Sequence, residues 1–260
     1  MLRALYTSAT GMKAQEALID NTANNLANVN TTGFKRSQVG FADLVYDTIR
    51  QPGAGGPNQQ ITPSGLQMGN GVRVVSTTKH FRQGNLDPTN NELDLAIAGR
   101  GFFQIDTPNG ERYTRAGNFG RDDQGQLVTA DGYLVGGGIT IPLEAVSVDI
   151  GADGSVQATL PDDSTSNIGV IPLINFPNPT GLRSEGNNLF AATPASGAAI
   201  QGTAGVGGFG TISGGYLEHS TVDVVHELVS LISAQRAYEI NSRAIRAGDE
   251  MLSTSADIVR

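Results

Sequence analysis

His80, His219 and His226 are the only imidazoles in the chain, and none stands at metal-ligand spacing from another His or from a Cys, a residue the chain lacks altogether. Thiolate nucleophiles, thiolate ligands and disulfides are excluded with it. Asp122-Asp123 and Asp162-Asp163 could be imagined as carboxylate pairs for acid-base work. Adjacent residues on a strand point to opposite faces, however, and both pairs lie in turn-like sequence, so they read as solvated turns. Asp149 with Asp153-Gly154 resembles part of a calcium loop without the alternating oxygen ligands and closing bidentate Glu. Gly205-Val206-Gly207-Gly208-Phe209-Gly210 satisfies G-x-G-x-x-G, but it leads into Ile212-Ser213-Gly214-Gly215 rather than into a helix that could aim its dipole at phosphate. No G-x-S-x-G elbow is present. No catalytic, metal-binding or cofactor-binding residue is assigned, no cofactor is expected, and the chain is read as a non-enzyme.

The elements that carry these residues point to a structural role. At 38% hydrophobic residues the chain can bury a core, while 34 glycines and only 6% aromatics indicate a thin core spread over many turns. A net charge of −8 argues against a nucleic-acid partner, since phosphate binding draws on clustered Lys and Arg. The first residues reach Lys13 and Glu16 without an unbroken apolar stretch, so no signal-peptide core is expected, and no run approaches the roughly 20 apolar residues of a membrane span. Taken alone, these features suggest a cytoplasmic protein without membrane insertion.

Leu5, Met12, Ile19 and Leu26 recur every seven positions in a Pro-free stretch from Leu2 to Asn28, which predicts a helix with one apolar seam; Glu16 interrupts the matching row. The helix is expected to close at Asn28-Val29-Asn30-Thr31-Thr32-Gly33. Ser220 with Asp223 reads as the start of a second helix running to Arg260, with Leu231, Tyr238, Ile245, Leu252 and Val259 again seven apart. Small residues Ala234, Asn241, Gly248 and Ser255 lie beside that stripe and permit close helix approach. The two termini could pair as an antiparallel hairpin in a monomer. Such a pair leaves much apolar surface wet, so the pattern favours burial against neighbouring subunits.

Between the helices, residues 36–70 read as an extended Gly/Pro-rich connector, centred on Gln51-Pro52-Gly53-Ala54-Gly55-Gly56-Pro57. Residues 71–217 read as one antiparallel β domain, with hairpin turns at Asn109-Gly110, Asp123-Gln124-Gly125, Asp131-Gly132 and Asp153-Gly154. The fold class expected is therefore α+β. Residues 1–35 and 218–260 form a coiled-coil-like helical assembly domain, into which the β-rich domain is inserted.

Three segments carry a family resemblance. Ala23-Asn24-Asn25-Leu26-Ala27-Asn28-Val29-Asn30-Thr31-Thr32-Gly33-Phe34-Lys35-Arg36 resembles the N-terminal signature of flagellar axial proteins, which comprise the rod and hook. Leu93 to Phe103 and Tyr113 to Phe119 are similar to the β domain of that family, and Glu227-Leu228-Val229 with Gln235-Arg236-Ala237-Tyr238-Glu239 resembles its closing helix. Asp47 to Ala54 and Pro63 to Gln67 resemble the connector that distinguishes distal-rod members. The resemblance implies a signature at Asn24, Asn25, Leu26, Asn28, Gly33 and Phe34, and a rod-specific connector at Tyr46, Ile49, Arg50, Gln51, Pro52, Pro63 and Leu66. It implies a helical homopolymer with subunit contacts at Leu5, Met12, Ile19, Leu26, Leu231, Tyr238, Ile245 and Leu252. The partners it implies are proximal rod proteins, hook protein, surrounding ring proteins and the flagellar type III export apparatus. It also replaces the cytoplasmic expectation with a periplasm-spanning rod, exported without a cleaved signal peptide. A proximal rod or hook subunit, or a secreted β-rich adhesin or binding module, is the alternative.

Overall fold

The computed structural model describes residues 2–51, 64–136 and 138–258, and the chain divides into two compact units. One comprises Met1–Leu26, Ser37–Thr78 and Asp223–Arg260, the other Ala27–Arg36 and Lys79–Val222. The architecture is α+β: an N-terminal helix, a β-rich middle and a C-terminal helix.

In the first unit, α1 (Leu2–Ala27) and α2 (Val224–Ile258) are 26 and 35 residues long. At about 1.5 Å per residue, α2 extends over roughly 50 Å. Helix α2 begins at Val224, four residues beyond Ser220: the Asp223 carboxylate accepts from the amides of Val225 and His226 at 2.9 and 3.2 Å, so Asp223 is the N-cap. Ser220 accepts from the Val222 amide, ahead of the helix. The two helices pair antiparallel. Asn25 meets Glu227 at 3.3 Å, a Cβ on Gly11 would lie 3.0 Å from Asn241 Nδ2, and one on Gly248 would lie 2.6 Å from Leu5 Cδ2. Numbers rise along one helix as they fall along the other, and a side chain at Gly248 could be admitted only by moving Leu5. Strand Ser37–Asp43 pairs with Val72–Lys79, and Asp47–Arg50 pairs antiparallel with Leu66–Met68.

The second unit is built on a nine-stranded sheet around Phe102–Thr107. Gly110–Thr114 flanks that strand on one side, and Leu134–Val135 with Leu173–Asn175 share the other. Alternation along Phe102–Thr107 creates two cores. Phe103 and Ile105 enter a large aliphatic cluster with Leu127, Val135, Ile141 and Leu173. Phe102, on the opposite face, joins Tyr113, Ile174, Phe176 and Phe190, whose rings meet edge to face. All four expected turns connect antiparallel neighbours. A three-stranded sheet (Ser147–Ile150, Ser155–Thr159, Thr165–Val170) and two strand pairs complete the unit.

Helix α1 stops at Ala27, ahead of the expected glycine. Gly33 serves another purpose: its φ is +69°, and a Cβ there would lie 2.6 Å from the backbone of Arg115 and Ala116. Only glycine lets those two segments touch. Just beyond it, the Thr221 amide donates to the Phe34 carbonyl at 3.1 Å and the His80 amide to the Arg36 carbonyl at 2.9 Å. The Arg36 amide donates to Thr221 Oγ1 at 2.9 Å, so three passages of the chain are bonded in one patch.

Candidate functional site

The strongest electrostatic feature of the second unit is a fully buried charge cluster. Lys35 Nζ donates to Glu218 Oε1 at 2.6 Å and to the Arg82 carbonyl at 2.7 Å. Glu218 Oε1 also accepts from the Gly84 amide at 2.8 Å, and its Oε2 accepts from Arg115 at 3.3 Å. Arg115 further donates to the carbonyls of Ile97 and Gly99, while its buried Nε finds no partner among the described residues. Two cations thus share one carboxylate, leaving a formal excess of one positive charge. Burial pulls the Lys35 pKa down, Glu218 opposes that pull and Arg115 adds to it. Burial likewise lowers that of Arg115. Such a cluster is costly unless every group is fixed, so it specifies how the segments at 33–36, 82–84, 95–99, 113–115 and 216–218 come together.

Signature residue Asn25 organises the first unit. It is fully buried, and its amide pairs with the Ser37 backbone as a strand would, accepting from Ser37 N and donating to Ser37 O at 2.9 Å each. Asn21 donates to the same carbonyl at 2.9 Å. Phe34 is buried in the second unit with the Lys79 ammonium 5.1 Å from its ring centre. Asn24 is exposed, and Leu26 and Asn28 are half-buried.

Leu5, Met12, Ile19 and Leu26 on α1, and Leu231, Ile245 and Leu252 on α2, are half-buried, whereas Tyr238 is 41% exposed. On α2 they share a face with buried Ala234 and Gly248, the side that Leu5 of α1 approaches. A second, shorter apolar stripe lies on the opposite side of α2 near its start, where Val225, Leu228, Val229 and Ile232 are 41–71% exposed; Ile240 and Met251 flank it farther on, beyond exposed Arg236. Among connector residues, Tyr46, Ile49, Arg50, Gln51 and Leu66 are exposed; Pro52 and Pro63, like Val259 of the α2 seam, lie outside the described residues.

The carboxylates weighed for chemistry serve their own turns. Asp122 accepts from the amides of Gln124 and Gln126; Asp153 and Asp162 accept from Ser155 and Ser164 through both hydroxyl and amide. Those serine bonds hold the Asp153 and Asp162 pKa values below the usual range. The glycine-rich segment closes on itself, with the Gly205 amide donating to the Gly210 carbonyl at 2.9 Å, and is followed by strand Thr211–Gly214.

Residues 5–35 match the family described as flagella basal body rod protein. Residues 96–158 match the flagellar hook protein FlgE/F/G D1 domain, and residues 213–258 match the flagellar basal body rod FlgEFG protein C-terminal family. A flagellar basal-body rod protein FlgG from Buchnera aphidicola subsp. Schizaphis graminum is 48% identical, with 97% of this chain and 98% of the relative covered. The relative of the same description from Caulobacter vibrioides is 46% identical over 99% of both chains, and that from Bacillus subtilis is 41% identical over the full length of both.

Proposed function

The chain belongs to the flagellar basal-body rod protein family, and from this we propose that it polymerises as the distal-rod subunit, a straight tube that carries motor torque to the hook. The terminal helices bundle with those of neighbouring copies to form the inner wall. The connector at Tyr46, Ile49, Arg50 and Leu66 wedges between subunits and keeps the tube straight. The chain leaves the cell through the type III export apparatus without a cleaved signal peptide, and meets proximal rod, hook and ring proteins in the periplasm.

The observation that carries the reading is the second stripe of α2. A lone helix pair satisfies the inner face with Ala14, Ala234 and Gly248, yet leaves Val225, Val229, Ile232 and Ile240 in water. At about 25 cal/mol per Å² of apolar surface, covering such a stripe along every subunit of a polymer is a substantial driving force. The test is electron microscopy of the concentrated full-length protein beside the double variant Ile232→Asp/Ile240→Asp, whose substitutions fall on exposed positions. Straight tubes from the parent and monomers of unchanged circular dichroism from the variant are expected. A parent that stays monomeric with protease-resistant termini would turn the assignment toward the secreted binding module.

A further inference from the structure

The second unit carries a cleft and an exposed loop that complement each other and are rooted on opposite faces of the large sheet. The cleft, about 300 Å³, is lined by Phe81, Phe102, Phe176 and Pro177, with Arg100 and Arg115 supplying charge. It opens on the aromatic face of the large sheet, the face to which Phe102 and Phe176 belong. Beneath it lies the cluster in which Lys35 and Arg115 together outnumber the single carboxylate of Glu218. The cleft is thus apolar, aromatic and electropositive in a chain of net charge −8. The loop is Pro142-Leu143-Glu144-Ala145-Val146, in which Leu143 and Val146 are 62% and 70% exposed and flank exposed Glu144. Ile141 and Ala145 at its base pack into the aliphatic cluster, on the other face of the same sheet.

We propose that the Leu143–Val146 loop of one copy seats in the Phe81/Phe102/Phe176 cleft of the next, with Glu144 meeting Arg100 above the buried positive charge. This proposal rests on the polymer reading and names a contact within it. A second copy is the occupant because the charges and apolar groups of loop and cleft match, and because their placement on opposite faces makes the contact head-to-tail. A head-to-tail contact between two different patches leaves a free loop at one end and a free cleft at the other, so it adds copy after copy, into a filament when its rotation does not close a ring, instead of closing a two-fold dimer. Aromatic and arginine side chains around a desolvated pocket are the groups that dominate such interfaces.

The chain has no cysteine, so introduced thiols report cleanly. Full-length Leu143→Cys/Pro177→Cys, assembled and then oxidised, should run as a ladder of covalent oligomers on non-reducing gels, whereas each single variant yields dimers at most. Separately, Glu144→Lys and Arg100→Glu should each lower the yield of sedimentable polymer at least tenfold, and the two combined in one chain should restore most of it, because the pair is re-formed with reversed sign. Polymer that sediments normally but gives no ladder, or single charge variants that assemble like the parent, would overturn this contact and leave the rod assignment standing. Failure of the parent to polymerise at all would overturn both.

Discussion

Replacing Glu218 by Gln should destabilise the second unit far more than replacing its partner Lys35 by Met. Among the described residues Glu218 alone is a carboxylate bonded to two buried cations, and it accepts from Lys35, Arg115 and the Gly84 amide. Glutamine keeps the shape but strands both cations, and uncompensated buried charge costs about 3–5 kcal/mol. Removing Lys35 instead leaves Arg115 and Glu218 balanced one to one. The change forfeits a bond to the Arg82 carbonyl but also removes an ammonium whose charged form is disfavoured by burial and by the neighbouring Arg115. A loss below about 1.5 kcal/mol, comparable to one ordinary hydrogen bond, is expected. Urea unfolding followed by circular dichroism measures both, with hydrogen exchange of strands Leu95–Ala98 and Gly110–Thr114 marking the transition of this unit. Lys35→Met losing as much stability as Glu218→Gln would refute the reasoning, because Lys35 would then be a required counter-charge and not the surplus one.

The same cluster sets a pH dependence. Lys35 is held below the ordinary lysine range, so between its folded and unfolded pKa the unfolded chain binds more protons and stability rises with pH. The stability difference between parent and Lys35→Met should therefore shift toward the parent from about pH 7 to about pH 10, and a flat difference would count against it. Asn25→Ala orphans the buried Ser37 amide and should cost about 1–3 kcal/mol, seen as a lower melting temperature and faster exchange at Ser37. Gly33→Ala combines a positive φ with backbone 2.6 Å from the new methyl; a loss of at least about 1 kcal/mol in urea midpoint terms is expected. Leu252→Ala, on the inner face of α2, should leave the second unit's unfolding unchanged while abolishing straight tubes in micrographs.

Helices α1 and α2 were legible because a Pro-free stretch with apolar residues at regular spacing has few other solutions, and the four hairpin turns because each carries a glycine, Gly110, Gly125, Gly132 or Gly154, that takes the positive φ of a tight turn. Other features escaped for identifiable reasons. A single seven-residue repeat drew attention to one face of α2, and Val225, Leu228 and Ile240 fall between its steps on the other side. Lys35 and Glu218 are 183 residues apart, and charged residues ordinarily read as solvated, so nothing local announces that they are buried together. Ser220 with Asp223 marks the helix start in the sequence, and of the two it is Asp223, directly ahead of the apolar run, whose position suits a cap.

The patch where Phe34, Arg36, His80 and Thr221 are cross-bonded defines a load path. Tension or twist arriving along any of those three passages reaches the others through short lateral bonds before it can reach the sheet. Bonds side by side must yield together, whereas a sheet peeled from one edge yields a bond at a time. Pulled at this patch, the second unit should therefore resist as a block, giving one rupture event where a peeled sheet gives several smaller ones.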